Sequence, residues 1–235
     1  MKLILVRHGE TEVNRAGLTL SRSDVPLNEK GRLQVQRLAA SFAGQQVASI
    51  YSSPLQRARS TAQAIADALG LAVQVEEDLI ELDTGETEGF NAEQLWERFP
   101  DFMAGWTGTE APTVLFPGGS ETLSEAQERA WGVVERLRQQ HDSQTVVIVS
   151  HAFVILVILC RALGMSLSNF RNLRTSLAAK SVLETRPDRV ILVSYNDTCH
   201  LGELQTAPLW EGRRLRRAEG EQEGRRPGRV GHPGA

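Results

Sequence analysis

Leu3-Ile4-Leu5-Val6-Arg7-His8-Gly9-Glu10-Thr11 is the stretch on which the fold turns. Its apolar half is a short strand with nothing polar on either face, as a central strand covered on both sides requires. The strand then breaks off in Arg-His-Gly, which sets a guanidinium beside an imidazole with a glycine to turn the backbone. Ligands of open α/β sheets bind beyond the carboxyl ends of the strands. Arginine next to histidine at such an end suits an anion, above all a phosphoryl group, with the imidazole as nucleophile. A strand ending in an ordinary polar turn reads the same way, so the rest of the chain has to decide.

Strand and helix signals alternate along the rest. Apolar runs at 2–6, 47–51, 73–75 and 145–149 read as strands, and 181–184 with 189–195 as a closing antiparallel pair around Pro187-Asp188. Asn28 is placed to cap a helix over 29–42, with Leu33, Val35, Leu38, Ala39 and Phe42 on its apolar side. Ser53-Pro54 reads as cap and first residue of a helix ending at Gly70. Residues 91–99 read as a helix stopped by Pro100, and 101–119 as an irregular lid with one helical turn at most. A long amphipathic helix is expected over 120–140 with Ser120 as its cap, and a buried helix over 152–163. The expected fold class is α/β: a three-layer α/β/α sandwich, its central sheet mostly parallel with helices on both faces. One domain is expected over 1–210 with a lid insertion at about 90–119. The segment 211–235, rich in Arg, Gly and Glu, has almost nothing to bury and is expected to be a disordered tail.

Composition excludes several classes of function. The net charge is −3 while residues 212–235 carry +4, so the rest of the chain is mildly acidic. The tail's arginines alternate with glutamates and lack aromatic partners for stacking, so no nucleic-acid partner is expected. The longest apolar run is too short to cross a bilayer and no secretory signal is read, so no membrane partner and a cytoplasmic location are expected. Cys160 and Cys199 are spaced for neither a metal nor a disulfide scaffold. An exposed edge strand leaves a homodimer open.

Four strand-to-helix junctions offer groups able to handle a phosphate or a proton. They carry Arg7-His8, Arg57, Glu81 and His151. Each has a plainer reading alone: Arg57 as a solvated helix arginine that nothing local separates from Arg59, Glu81 as one acid of a charged loop, His151 as a capping or core histidine. Together they form a site of the kind found at a sheet's carboxyl edge.

The ordered motifs resemble the histidine phosphatase superfamily, with its phosphoglycerate mutase-like fold. They are Leu5-Val6-Arg7-His8-Gly9-Glu10-Thr11 with Asn14, Pro26-Leu27-Asn28-Glu29-Lys30-Gly31, and Ser52-Ser53-Pro54-Leu55-Gln56-Arg57-Ala58-Arg59. Glu81 with Gly85 and Glu88-Gly89, Pro117-Gly118-Gly119, Val149-Ser150-His151-Ala152, and Asn196-Asp197-Thr198-Cys199-His200-Leu201 complete the set. The resemblance implies that 1–210 is a histidine phosphatase domain and that His8 is a nucleophile forming a phosphohistidine. It makes Glu81 the proton donor, Arg7, Arg57 and His151 the holders of the phosphoryl oxygens, and Asn14 a further donor. No metal or other cofactor is implied. Glu81 is chosen by its offset from Gly85, leaving Asp83 and Glu86 as weaker alternatives, and crowding by Asp78, Asp83 and Glu86 with partial burial is expected to raise its pKa. Thr87 and Ile80 depart from the tryptophan and arginine common among relatives, which touches the substrate-facing shape. The Pro117 turn is expected near the pocket, with Ser120 or Glu121 as candidate substrate contacts.

The expected activity is metal-independent hydrolysis of a small-molecule phosphomonoester. A phosphoglycerate mutase-type phosphotransferase and a non-catalytic phospho-ligand binding module are the alternatives. Hydrolysis is favoured because 90–119 holds Arg98 as its one basic residue among many apolar ones, which suits an apolar or neutral leaving group better than a second anion. Sugar phosphates, α-ribazole phosphate, phosphoglycerates and general phosphomonoesters all remain candidate substrates.

Overall fold

In a computed structural model of the chain, residues 1–186 and 188–206 are described. The expected tail and Pro187 lie outside the described residues. The first of two compact units, Met1–Gln205, holds every strand and helix of the described residues.

Its six strands are β1 (Lys2–Arg7), β2 (Ser49–Ser52), β3 (Val73–Val75), β4 (Thr145–Ser150), β5 (Lys180–Thr185) and β6 (Val190–Asp197). They lie in the order β3-β2-β4-β1-β5-β6. β1, β2, β3 and β4 pair in parallel, while β5 runs antiparallel to both β1 and β6. The helices are α1 (Glu12–Arg15), α2 (Glu29–Ala40), α3 (Gln56–Leu69), α4 (Ala92–Arg98), α5 (Pro100–Thr107), α6 (Leu123–Gln140) and α7 (Ala152–Ala162).

Side-chain alternation along the central strands builds the two faces. Leu3, Leu5, Tyr51, Val146 and Ile148 meet the lid helices, α6 and α7 on one side. Ile4, Val6, Ile50, Val147 and Val149 meet α2 and α3 on the other. Layers on both faces explain why β1 and β4 have no polar alternation: each buried aliphatic side chain contributes about 1.5–3 kcal/mol, and no face is left for water.

Several local expectations are corrected. α3 begins at Gln56 with Leu55 at its cap position and no side-chain cap, because Asp24 Oδ1 takes the Gln56 N–H from a distant loop at 2.5 Å. Ser53 is instead drawn to His151. α6 is capped by Thr122, which forms a capping box with Glu125, and not by Ser120, whose hydroxyl donates to Asp83. Pro100 starts α5 as well as ending the expected α4, since a proline is tolerated in a first turn; α5, over Pro100–Thr107, therefore stands where at most one helical turn was expected. Leu33 is 45 % exposed and does not join the apolar side of α2.

Gly9 follows His8 without adopting a left-handed conformation. It admits α2: a Cβ on Gly9 would stand 2.9 Å from the Gly31 carbonyl, and one on Gly31 only 2.0 Å from the Glu10 carbonyl. This contact fixes the loop after His8 against the start of α2. Gly31→Ala is expected to lower stability in urea unfolding by about 2–3 kcal/mol. Gly132→Ala, whose methyl would meet nothing within 4 Å in the middle of α6, is expected to raise it by about 0.5–1 kcal/mol. Effects of the same sign would contradict the packing described.

Candidate active site

Three neighbouring strands end at one level. Register pairs Arg7 with Ser150 and Ser52 with Val149, so the residues just beyond, His8, His151 and Ser53, sit side by side. The ladder continues one step past the strands: His8 N–H donates to Ser150 O at 3.1 Å and Ser53 N–H to Val149 O at 3.0 Å. The His8 and His151 rings lie 5.1 Å apart, both buried.

His8 Nδ1 is 2.8 Å from the carbonyl of Gly9. A carbonyl only accepts, so Nδ1 carries the proton and Nε2 the lone pair. Burial pushes the His8 pKa well below its ordinary value, and Arg57 and then Arg7 push it further the same way. Burial outranks the arginines as the cause. His151, at the amino end of α7, is likewise held neutral, first by burial and then by Arg57. Its Nε2 is 2.6 Å from Ser53 Oγ.

Two arginines enter from opposite sides. Arg7 Nη1 donates to Thr175 O at 2.6 Å; Arg57 donates to Ser23 O at 2.8 Å and Ser21 O at 2.6 Å. Arg57 is fully buried while Arg59 is exposed, a separation that only the helix face settles. Arg7 is lowered to about 10 by burial, so it remains charged at neutral pH. Arg7 Nε, Arg57 Nε and His151 Nδ1 are buried with no hydrogen-bond partner. Three orphaned donor positions around one imidazole are what an anion site requires.

Glu81 stands among these cations, also buried. Its Oε1 accepts from Leu82 N–H at 2.9 Å and its Oε2 from Phe153 N–H at 3.4 Å. Burial raises its pKa against the pull of these donors and of Arg57 and Arg7. The expected crowding by neighbouring carboxylates plays no part, and burial is nearly complete where partial burial was expected. Asp83 is turned away: burial raises it, but Ser120 and Gly85 donate to it and Arg22 faces it, and together they hold it below its ordinary range. Gly85, at φ +48°, packs under Pro117 so closely that a Cβ would stand 2.3 Å from that carbonyl.

Behind the loop runs a brace that the sequence did not reveal. Glu121 accepts from Arg22 at 2.7 Å, from Arg129 at 2.8 Å with each of its oxygens, and from Asp83 N–H at 3.1 Å. Arg129 also donates to Asp78 O at 2.7 Å and Glu81 O at 3.4 Å, and Arg22 Nε to Glu81 O at 3.3 Å. Ser120 and Glu121, candidate substrate contacts by sequence, are thus tied to the acid loop. Ser21 joins the two halves, donating to Leu82 O and accepting from Thr84 N–H while its carbonyl takes Arg57. Thr87, where relatives often carry tryptophan, is buried and donates to Thr84 O at 2.7 Å. Asn14 is buried in α1, its carbonyl oxygen accepting from Thr11 Oγ1 at 3.0 Å. Trp106 is buried in the lid core while Trp96 is 46 % exposed. His200 Nε2 meets Ala178 O at 3.0 Å, a packing role beyond the last strand.

The model of the histidine phosphatase superfamily (branch 1) matches residues 3–198. The chain is 38 % identical over 204 residues to phosphoserine phosphatase 1 of Hydrogenobacter thermophilus, covering 87 % of this chain and 96 % of that protein. Among solved structures, a phosphoserine phosphatase variant from Entamoeba histolytica in complex with phosphoserine superimposes with a TM-score of 0.76 at 29 % identity, covering 85 % of this chain and 98 % of that one. A mycobacterial glucosyl-3-phosphoglycerate phosphatase complexed with VO3 reaches a TM-score of 0.77 at 26 % identity, covering 84 % and 99 %.

The electrostatics give a direct expectation. By imidazole nitrogen NMR, with His8→Gln and His151→Gln for assignment, both rings should stay neutral as pH falls through 6.5. A His8 ring that takes up a proton with a midpoint near its ordinary value would contradict the burial described.

Proposed function

We propose a residue-level mechanism for this chain, which belongs to the histidine phosphatase superfamily and is a phosphomonoester hydrolase. The observation that carries it is the neutral His8 ring, anchored through Nδ1–H on Gly9 O, with orphaned donors of Arg7, Arg57 and His151 around it. His8 Nε2 attacks phosphorus and forms a P–N bond as the P–O ester bond breaks. Arg7, Arg57 and His151 hold the equatorial oxygens, whose charge grows in the transition state. The Nδ2 amino group of Asn14 is a further donor, its carbonyl being turned to Thr11.

The leaving oxygen takes a proton from Glu81. This acid must be protonated first, and its burial raises the pKa in the required direction. Glu81, now a carboxylate, takes a proton from the water that attacks the phosphohistidine; phosphate leaves and both neutral groups are restored. Cations, not a metal, carry the electrostatic load in this scheme.

A phosphoserine-type substrate is proposed, on the strength of the Hydrogenobacter and Entamoeba relatives. Phosphoryl transfer to a second substrate is disfavoured by the lid, where Arg98 is the one basic residue of 90–119. A cytoplasmic setting is proposed because both cysteines are free thiols, Cys160 buried and Cys199 exposed.

Phosphate release in chelator from phosphoserine, 3-phosphoglycerate, α-ribazole phosphate and p-nitrophenyl phosphate tests the reading. His8→Ala should abolish release from all of them; release that survives would rule out His8 as nucleophile. Glu81→Gln should lower kcat on phosphoserine by about 10²–10⁴ and far less on p-nitrophenyl phosphate, whose leaving group needs no proton. The native rate on phosphoserine should fall as pH rises through the raised Glu81 pKa, and the variant should lose that limb. Equal losses on the two esters would remove Glu81 from the role of acid.

A further inference from the structure

Arg171 lies in the 3-10 turn Leu167–Asn172, between α7 and β5. Its guanidinium carbon is 4.8 Å from the centre of the Trp106 ring and 4.4 Å from that of Phe170. Nη2 is buried and has no hydrogen-bond partner, and among the described residues no carboxylate pairs with it. Arg161, also over an aromatic ring, differs in having Glu128 at 2.7 Å. Aromatic faces attract a cation but offer it no directional acceptor, so a half-buried guanidinium held only by rings lacks its anion. Burial lowers Arg171 to about 10, which leaves it charged at neutral pH.

The turn that carries it adjoins elements of the site. The Phe170 ring is 6.1 Å from that of Phe153, whose N–H donates to Glu81 Oε2 at 3.4 Å. Four residues further along the chain, Thr175 O accepts from Arg7. Arg171 thus belongs to the short segment joining the neighbourhood of the acid to that of a phosphate-holding cation, on the side of the lid helix that carries Trp106. The leaving group emerges beside Glu81, so a cation there meets the part of the substrate that is not phosphate. The count of basic residues in 90–119 excluded it because a later segment supplies it.

We propose that Arg171 forms an anion subsite for a carboxylate borne by the leaving group, so that the preferred substrates are phosphate esters of small hydroxy acids. This deepens the proposed function and rests on it. It replaces the expectation of an apolar or neutral leaving group.

The test compares O-phospho-L-serine with phosphoethanolamine, which keeps the ammonium and lacks the carboxylate. The native enzyme should show a kcat/KM ratio well above one in favour of phosphoserine. Arg171→Met should lower that ratio about 10–100-fold, mainly through the KM of phosphoserine, and Arg171→Lys should restore part of it. Calorimetric binding of the same two esters to His8→Ala and to His8→Ala/Arg171→Met should give a matching loss for phosphoserine, without any need for turnover. A ratio near one in the native enzyme, or a ratio that Arg171→Met leaves unchanged in both turnover and binding, overturns the subsite. Failure to release phosphate from any ester, p-nitrophenyl phosphate included, would instead overturn the hydrolase mechanism, and the binding ratio would still decide the subsite.

Discussion

The site depends on burying an imidazole among cations without letting it take a proton. Water would stabilise His8 as an imidazolium; the interior does not, and Arg57 and Arg7 add a second penalty. The cost is met by the sheet. Three parallel neighbours, β2, β4 and β1, end together, and hydrogen bonds from His8 and Ser53, one residue past β1 and β2, to the last carbonyls of β4 set His8, Ser53 and His151 side by side. The two guanidiniums are fixed before any substrate arrives, through Thr175 on one side and Ser21 and Ser23 on the other. Preorganised donors of this kind lose little on binding and gain most where charge develops.

The same enclosure has opposite effects on the two titrating partners. Burial keeps His8 neutral by disfavouring its cation and raises Glu81 by disfavouring its anion. Neutral nucleophile and protonated acid are both favoured by one physical cause. The Arg22–Glu121–Arg129 brace adds a mechanical element. By gripping the carbonyls of Asp78 and Glu81 and the N–H of Asp83, it ties the acid loop to the first turns of α6. Ser21 then joins that loop to Arg57, so acid and phosphate cation are braced against one another.

The strands and their polar ends were legible because each is a local pattern: an apolar run, then Arg7-His8 or Ser150-His151. Asn28 was legible as a cap for the same reason. What escaped was decided by partners distant in sequence. Ser53-Pro54 looks like a helix start, but Asp24 supplies the cap and His151 takes the serine. Nothing local distinguishes Arg57 from Arg59; the α3 face buries one and exposes the other. Glu121 reads as a candidate substrate contact, and only the fold ties it, together with Arg129, to the Glu81 loop. Arg171 is invisible to any reading of the lid by sequence range, since it reaches the lid from another segment.

The central claim, a covalent phosphohistidine on His8, is tested most directly by the stereochemistry at phosphorus. Hydrolysis of a phosphate ester made chiral with oxygen isotopes passes through two in-line displacements if His8 attacks first and water second. Overall retention of configuration is the expected result. Inversion would mean that water attacks the ester directly, and His8 would then be an electrostatic or basic group and not the nucleophile.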